Sequence, residues 1–187
     1  MRDFFAFITF TFLLLPLTTV AIEKGGITMP DQLQSENQSL TLNGAGIRNK
    51  FIFDIYVAGL YLPEKNSNAS TIISSHSPMA IRLHIISSKI TSKKFSKATR
   101  QGFEKSTNNN TKHISTQIDQ FIDIFSEPIM KGDIIEFINV YEKGVIVTIN
   151  GIEKAVIPSD EFKSALFGIW LSDNPIQVQL KEAMLGK

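Results

Sequence analysis

The chain has 187 residues, 43% of them hydrophobic, with no cysteine and a formal charge of +1 from 19 basic and 18 acidic residues. That length fits one domain and buries roughly 70% of the extended chain's surface, so no disulfide or metal staple is required. The lack of cysteine excludes thiol nucleophiles and thiolate metal sites. The balanced charge gives no reason to expect nucleic acid; the densest basic cluster, Lys89 to Arg100, has the spacing of an amphipathic helix.

The first residues read as a targeting segment. Met1-Arg2 is a short positive start, Phe4 to Leu15 is an apolar run, Pro16 breaks it, and Thr19-Val20-Ala21 precedes a cleavage point. Residues 1–21 are therefore expected to be a signal peptide and residues 22–187 a single domain. The run is too short to cross a bilayer comfortably. The expectation is a periplasmic or secreted protein with no membrane span after cleavage.

Ile22 to Thr41 is polar and turn-rich, with one or two strands expected. Leu42 to Leu62, LNGAGIRNKFIFDIYVAGLYL, is the segment around which the rest is organised. It reads as the end of one strand, a glycine-rich turn carrying Arg48, and a second strand apolar on both faces, hence central in a sheet. Asp54 and Tyr56 interrupt the apolar run on one face, and buried polar groups need partners, a ligand among them. Pro63 to Ser77 is a surface segment with a short helical turn around Thr71 to Ile73. Met79 to Ser88 alternates as a strand with one core face.

Thr91 or Ser92 caps a helix whose stripe is Phe95, Ala98, Gly102 and Phe103. Ile114, Ile118, Phe121, Ile122 and Phe125 mark the next helix. Strands follow at Ile134 to Tyr141, Val145 to Ile149 and Ile152 to Ile157, with Asn150-Gly151 as a hairpin turn. Ser159 caps a helix with Phe162, Ala165, Leu166, Ile169 and Trp170 on one stripe. A last short helix runs from about Val178 to Leu185 and stops at Gly186. The order of strands and helices argues an α+β fold with a large antiparallel sheet and a helical layer on one face.

No catalytic set emerges from spacing. Gly44-Ala45-Gly46 is not followed by the helix a phosphate loop requires. His76, His84 and His113 lack metal-ligand spacing, so no metal and no cofactor are expected. Arg48, Asp54 and Tyr56 remain, with two readings open. A guanidinium fork suits a carboxylate and a tyrosine hydroxyl adds a donor; equally, Arg48 serves as a plain turn residue and Tyr56 as a core aromatic.

The organising segment resembles the signature of the chalcone isomerase-like family, in particular its small exported bacterial branch. MAIRLHIISS, ITSKKFSKATRQGF, the strand opening at Gly132-Asp133 with its Asn-Gly hairpin, and FKSALFGIWLSDNPIQVQLKEAML continue the likeness in order. The resemblance implies an open-faced sandwich of sheet and helices with a ligand cleft between them. The family holds isomerases that cyclise chalcones and non-catalytic relatives that bind fatty acids. The isomerases' strand threonine falls on Tyr56, their helix tyrosine on Phe95, their helix asparagine on Gly102, and a further polar position on Ile169. Electrostatic stabilisation of an enolate needs donors aimed at its oxygen, and Phe95 and Gly102 supply none.

Tyr56-x-x-Gly59-x-Tyr61 and Arg48 after Gly-x-Gly resemble the fatty-acid-binding relatives instead. A tight hairpin turning near Asn49 would place Leu42 or Gly44 opposite Tyr56 and leave Arg48 roughly 20 Å or more away, at about 3.3 Å per residue. The resulting expectation is a binder of a small apolar or amphipathic ligand, a fatty acid among the candidates, with ligand contacts from Arg48, Asp54, Tyr56, Phe95 and Trp170 and no catalytic residue. The alternatives are an isomerase or intramolecular lyase with a divergent residue set, and a structural or partner-binding envelope protein with a filled core. No protein partner is indicated.

Overall fold

A computed structural model describes residues 22–36 and 38–187. The expected signal peptide, residues 1–21, lies outside them. The chain runs β1 (Ile22–Lys24), β2 (Ile27–Met29), β3 (Gln32–Ser35), β4 (Gln38–Lys50), β5 (Phe53–Leu62), α1 (Ala69–Ser74), β6 (Met79–Ile85) and α2 (Ser92–Ser106). A 3-10 turn at Lys112–Ile114 leads into α3 (Ser115–Asp123), followed by β7 (Ile134–Val140), β8 (Gly144–Ile149), β9 (Ile152–Ile157), α4 (Asp160–Leu171) and α5 (Val178–Met184). Seven strands, β3 to β9, form one antiparallel sheet in sequence order, and β1 and β2 form a separate hairpin.

Local chemistry accounts for most boundaries. Thr91 and Ser159 cap α2 and α4 through their side chains, and Asn68 caps α1. Asn150 and Gly151 turn β8 into β9 with φ of 53° and 77°, the left-handed geometry of a two-residue hairpin. The N-terminal region holds more strand than the sequence predicts: β1, β2 and β3 all precede the long β4.

One face of the sheet carries the helices. Tyr56, Ala58, Leu60, Ile81, Leu83, Ile85, Phe137 and Val147 pack there against Phe95, Phe103, Phe121, Leu166 and Trp170. On the opposite face Met29 packs against Val57, Tyr61 and Ala80 from the sheet, with Ile22 and Ile27 beside it. A Cβ at Gly59 would stand 2.6 Å from the Met29 methyl, so the glycine makes room for the β1–β2 cover.

The glycine-rich stretch predicted as a turn is instead the middle of β4, a continuous strand of 13 residues. Its glycines serve close packing by α5. A Cβ at Gly44 would collide with the carbonyl oxygen of Ala183, and one at Gly46 would lie 2.8 Å from the Ala183 Cβ. Asn43 sits at a break in the β4–β5 register between Leu42 and Gly44. Its side-chain amide donates to the carbonyls of Asn66 (3.0 Å) and Met184 (2.9 Å), and its oxygen accepts from the Asn66 amide (2.8 Å). The bulge thus converts one buried polar residue into an anchor for the C-terminal helix.

The turn itself falls at Phe51-Ile52, between paired Lys50 and Phe53. This two-residue turn sets the register that matters for the site. It places Arg48 directly opposite Tyr56, where a turn near Asn49 would have separated them.

Candidate functional site

Between the sheet and α2, α3 and α4 lies a cavity of about 380 Å³. Its walls come from β5 (Phe53, Ile55, Tyr56), α2 (Phe95, Ala98, Thr99), Phe121 of α3, Phe137 of β7 and α4 (Leu166, Ile169, Trp170). Phe95 packs against Phe125 at a tilt with centroids 4.5 Å apart, and Phe137 against Trp170, also tilted, with centroids 5.8 Å apart, so the inner wall is largely aromatic.

Tyr56 and Trp170 form the polar contact of this interior. The indole Nε1 donates to the Tyr56 hydroxyl at 3.1 Å. No acceptor among the described residues takes the phenolic proton, which stays available to a cavity occupant. Burial pushes the Tyr56 pKa up to about 12, while the Trp170 hydrogen bond and the Arg48 charge oppose the rise. At neutral pH the group is therefore a donor. Thr99, one turn beyond Phe95, adds a second hydroxyl to the wall.

Arg48 and Tyr56 face each other across one β4–β5 rung. Directly opposed residues of an antiparallel pair share a face with Cβ atoms about 4.5–5.5 Å apart, so the guanidinium and the phenol address the same end of the cavity. Arg48 Nη1 donates to Gln177 Oε1 at 3.0 Å and also to the Asn49 carbonyl. Gln177 Oε1 accepts from the Asn49 amide as well (3.0 Å), and Gln177 Nε2 donates to Asn49 Oδ1 (3.2 Å). These bonds fix the guanidinium while leaving Nε and Nη2 as further donors. Among the described residues no carboxylate pairs with Arg48.

Four of the five predicted contact residues, Arg48, Tyr56, Phe95 and Trp170, line the cavity. Asp54 does not. The register shifts between Arg48 and Asn49, leaving Ile55 as the extra residue on β5. Ile55 and Tyr56 both reach the cavity, the alternation is broken, and Asp54 is exposed with its carboxylate accepting from Asn49 Nδ2. Three lining cations escape the sequence reading: Lys50, Lys89 and Lys94 at the mouth. Gln177 escapes it too, because nothing local marks a glutamine 129 residues from its arginine.

The positions that the family resemblance links to catalysis are filled by packing. Phe95 is part of the aromatic wall. A Cβ at Gly102 would stand 2.9 Å from an Ile169 methyl carbon, so the glycine lets α2 and α4 close on each other where an asparagine side chain would need space.

The ionisation of Tyr56 provides a check on this geometry. Its folded-state pKa lies above the ordinary tyrosine value near 10, so the native state holds the proton more tightly than the unfolded chain. The resulting stabilisation is complete below pH 10 and is lost as pH rises through 12. In a phenolate absorbance titration, the difference between wild type and Tyr56→Phe is expected to show a step near pH 12; a step near pH 10 would mean that Tyr56 is open to water.

The fold agrees with what the comparisons with known proteins show. No curated protein sequence matches the chain significantly. Among solved structures, a fatty-acid binding protein from Arabidopsis thaliana superposes with a TM-score of 0.69 at 16% sequence identity, covering 89% of this chain and 95% of the other. The sequence profile described as chalcone isomerase-like matches residues 21–186, nearly the whole chain. The protein belongs to the chalcone isomerase-like family.

Proposed function

We propose that this protein is an exported binder of a single-chain amphiphile with an anionic head, a fatty acid being the simplest, and that it does not turn the ligand over. The observation that carries the reading is the pairing of Arg48 and Tyr56 at one end of an aromatic, largely hydrocarbon cavity. A carboxylate there accepts from the guanidinium and from the phenol, while the chain lies along Phe95, Phe121, Phe137 and Leu166. Ligand cavities run from roughly 300 to 1,000 Å³; about 380 Å³ suits one acyl chain better than a two-chain lipid. The fatty-acid ligand named for the Arabidopsis protein supports the same class of molecule.

The absence of turnover is part of the proposal. The described residues at the family's catalytic positions offer an apolar ring at Phe95 and no side chain at Gly102. The donors that do converge, Arg48 and Tyr56, meet a head group that carries its charge before binding, so in this reading they stabilise a bound ground state rather than a transition state.

Displacement of a fluorescent fatty acid tests the reading. Hydrogen bonds to a charged group contribute about 1.5–3 kcal/mol each, so Arg48→Leu and Tyr56→Phe are each expected to weaken binding about tenfold or more. A protein that ignores fatty acids, or one whose affinity neither substitution changes, contradicts the reading. Chalcone turnover that disappears in Tyr56→Phe would place the protein with the isomerases. Export is supported by the Arg-start, apolar run and Ala21 pattern; protein recovered from the periplasm or medium is expected to have an intact mass beginning at Ile22, and one retaining Met1 inside the cell would refute it.

A further inference from the structure

The β4–β5 turn carries an exposed apolar tip: Phe51 and Phe53 edge the cavity, and Ile52 lies outside its lining. Phe51 is 91% exposed and Ile52 89% exposed, and Phe53 follows at 44%. Phe51 also adopts φ of +55°, a left-handed conformation that is unusual for a bulky residue. A turn selected for stability alone would carry glycine or asparagine here. Large side chains held out in water on a strained turn point to a role outside the folded core.

The surroundings of the tip are cationic. Lys50, Lys89 and Lys94 are exposed around it. The Lys89 ammonium sits 5.9 Å from the centre of the Phe53 ring, and Lys94 Nζ donates to the Lys89 carbonyl at 3.0 Å. With Arg48, these are four cations among the cavity-lining residues and no anion. None of the four has a carboxylate within ion-pair distance among the described residues. The nearest acid on the hairpin, Asp54, is engaged by Asn49.

We propose that this tip docks the protein on an anionic lipid surface, with the cavity mouth turned toward the bilayer. Apolar side chains entering the interface beside a collar of lysines are the two signals that reversible membrane binding requires. A second copy or another protein fits less well. Two phenyl rings and one isoleucine, even fully covered, fall short of the roughly 800 Å² per partner that a stable protein interface buries. The docking stands on the tip alone. That the cavity draws its ligand from the bilayer rests on the reading of the cavity given above.

Sedimentation with vesicles separates these claims. Purified protein is mixed with vesicles of phosphatidylglycerol and phosphatidylcholine, or of phosphatidylcholine alone. Each lysine near an anionic surface contributes roughly fivefold in partitioning at low salt, so binding to the anionic vesicles is expected to be at least about tenfold stronger and to weaken as salt is added. Ile52 does not line the cavity. Ile52→Asp is therefore expected to lower vesicle partitioning about tenfold while leaving the affinity for a fluorescent fatty acid in vesicle-free buffer unchanged. Equal sedimentation of wild type and Ile52→Asp, or no preference for anionic vesicles, overturns the docking. So does an Ile52→Asp variant that turns a dimer into a monomer, which would assign the tip to a second copy. Protein that docks yet ignores the fatty-acid probe upholds the docking and refutes only the cavity reading.

Discussion

The cross-strand pairing of Arg48 with Tyr56 is the constraint on which the site depends. It is set by two small backbone decisions: a two-residue turn at Phe51-Ile52 and a one-residue bulge at Ile55. Because side chains alternate along a strand, a slip of one residue would send the guanidinium or the phenol to the opposite face. The register is locked from both sides. Val57 and Ala58 are fully buried on opposite faces of β5, and Gln177 clamps the far end of β4 through Arg48 and Asn49.

The helical layer completes the cavity by approaching the sheet unevenly. Gly44 and Gly46 let α5 lie almost on the backbone of β4. Gly102 lets α2 and α4 touch. Where these contacts end, Phe95, Phe121, Phe137 and Trp170 hold the layers apart with aromatic rings and leave space between them. The same sequence positions explain both the cavity and the lack of a side-chain donor at Phe95 and Gly102: an aromatic ring lines the space and a glycine lets the helices close.

The local elements of the fold are legible in the sequence. The periodicity of α2, α3 and α4, the caps at Thr91 and Ser159, and the Asn150-Gly151 turn are local signals, and local signals survive in the fold. The central position of β5 followed from its two apolar faces. The Phe51-Ile52 turn was hidden because neither residue has turn chemistry. Gly44-Ala45-Gly46 suggests a turn in the sequence because glycine has two uses, conformational freedom and close approach, and only the position of Ala183 decides between them. The alternation of residue types sets Asp54 on the face of Tyr56, because a bulge leaves no mark in that pattern. Lys89, Lys94 and Gln177 come from segments distant in sequence from the hairpin, which no spacing rule brings together.

The central claim is that an anionic head is held by Arg48 and Tyr56 inside an apolar cavity. The most direct measurement is a carbon-13 NMR titration of a carboxyl-labelled fatty acid bound to the protein. The guanidinium and the phenolic donor favour the charged form, so the bound carboxyl is expected to stay ionised well below the pH at which the free acid is protonated, and Arg48→Leu is expected to shift that titration upward. A bound carboxyl that titrates above the free acid, or one that Arg48→Leu leaves unmoved, would contradict the account.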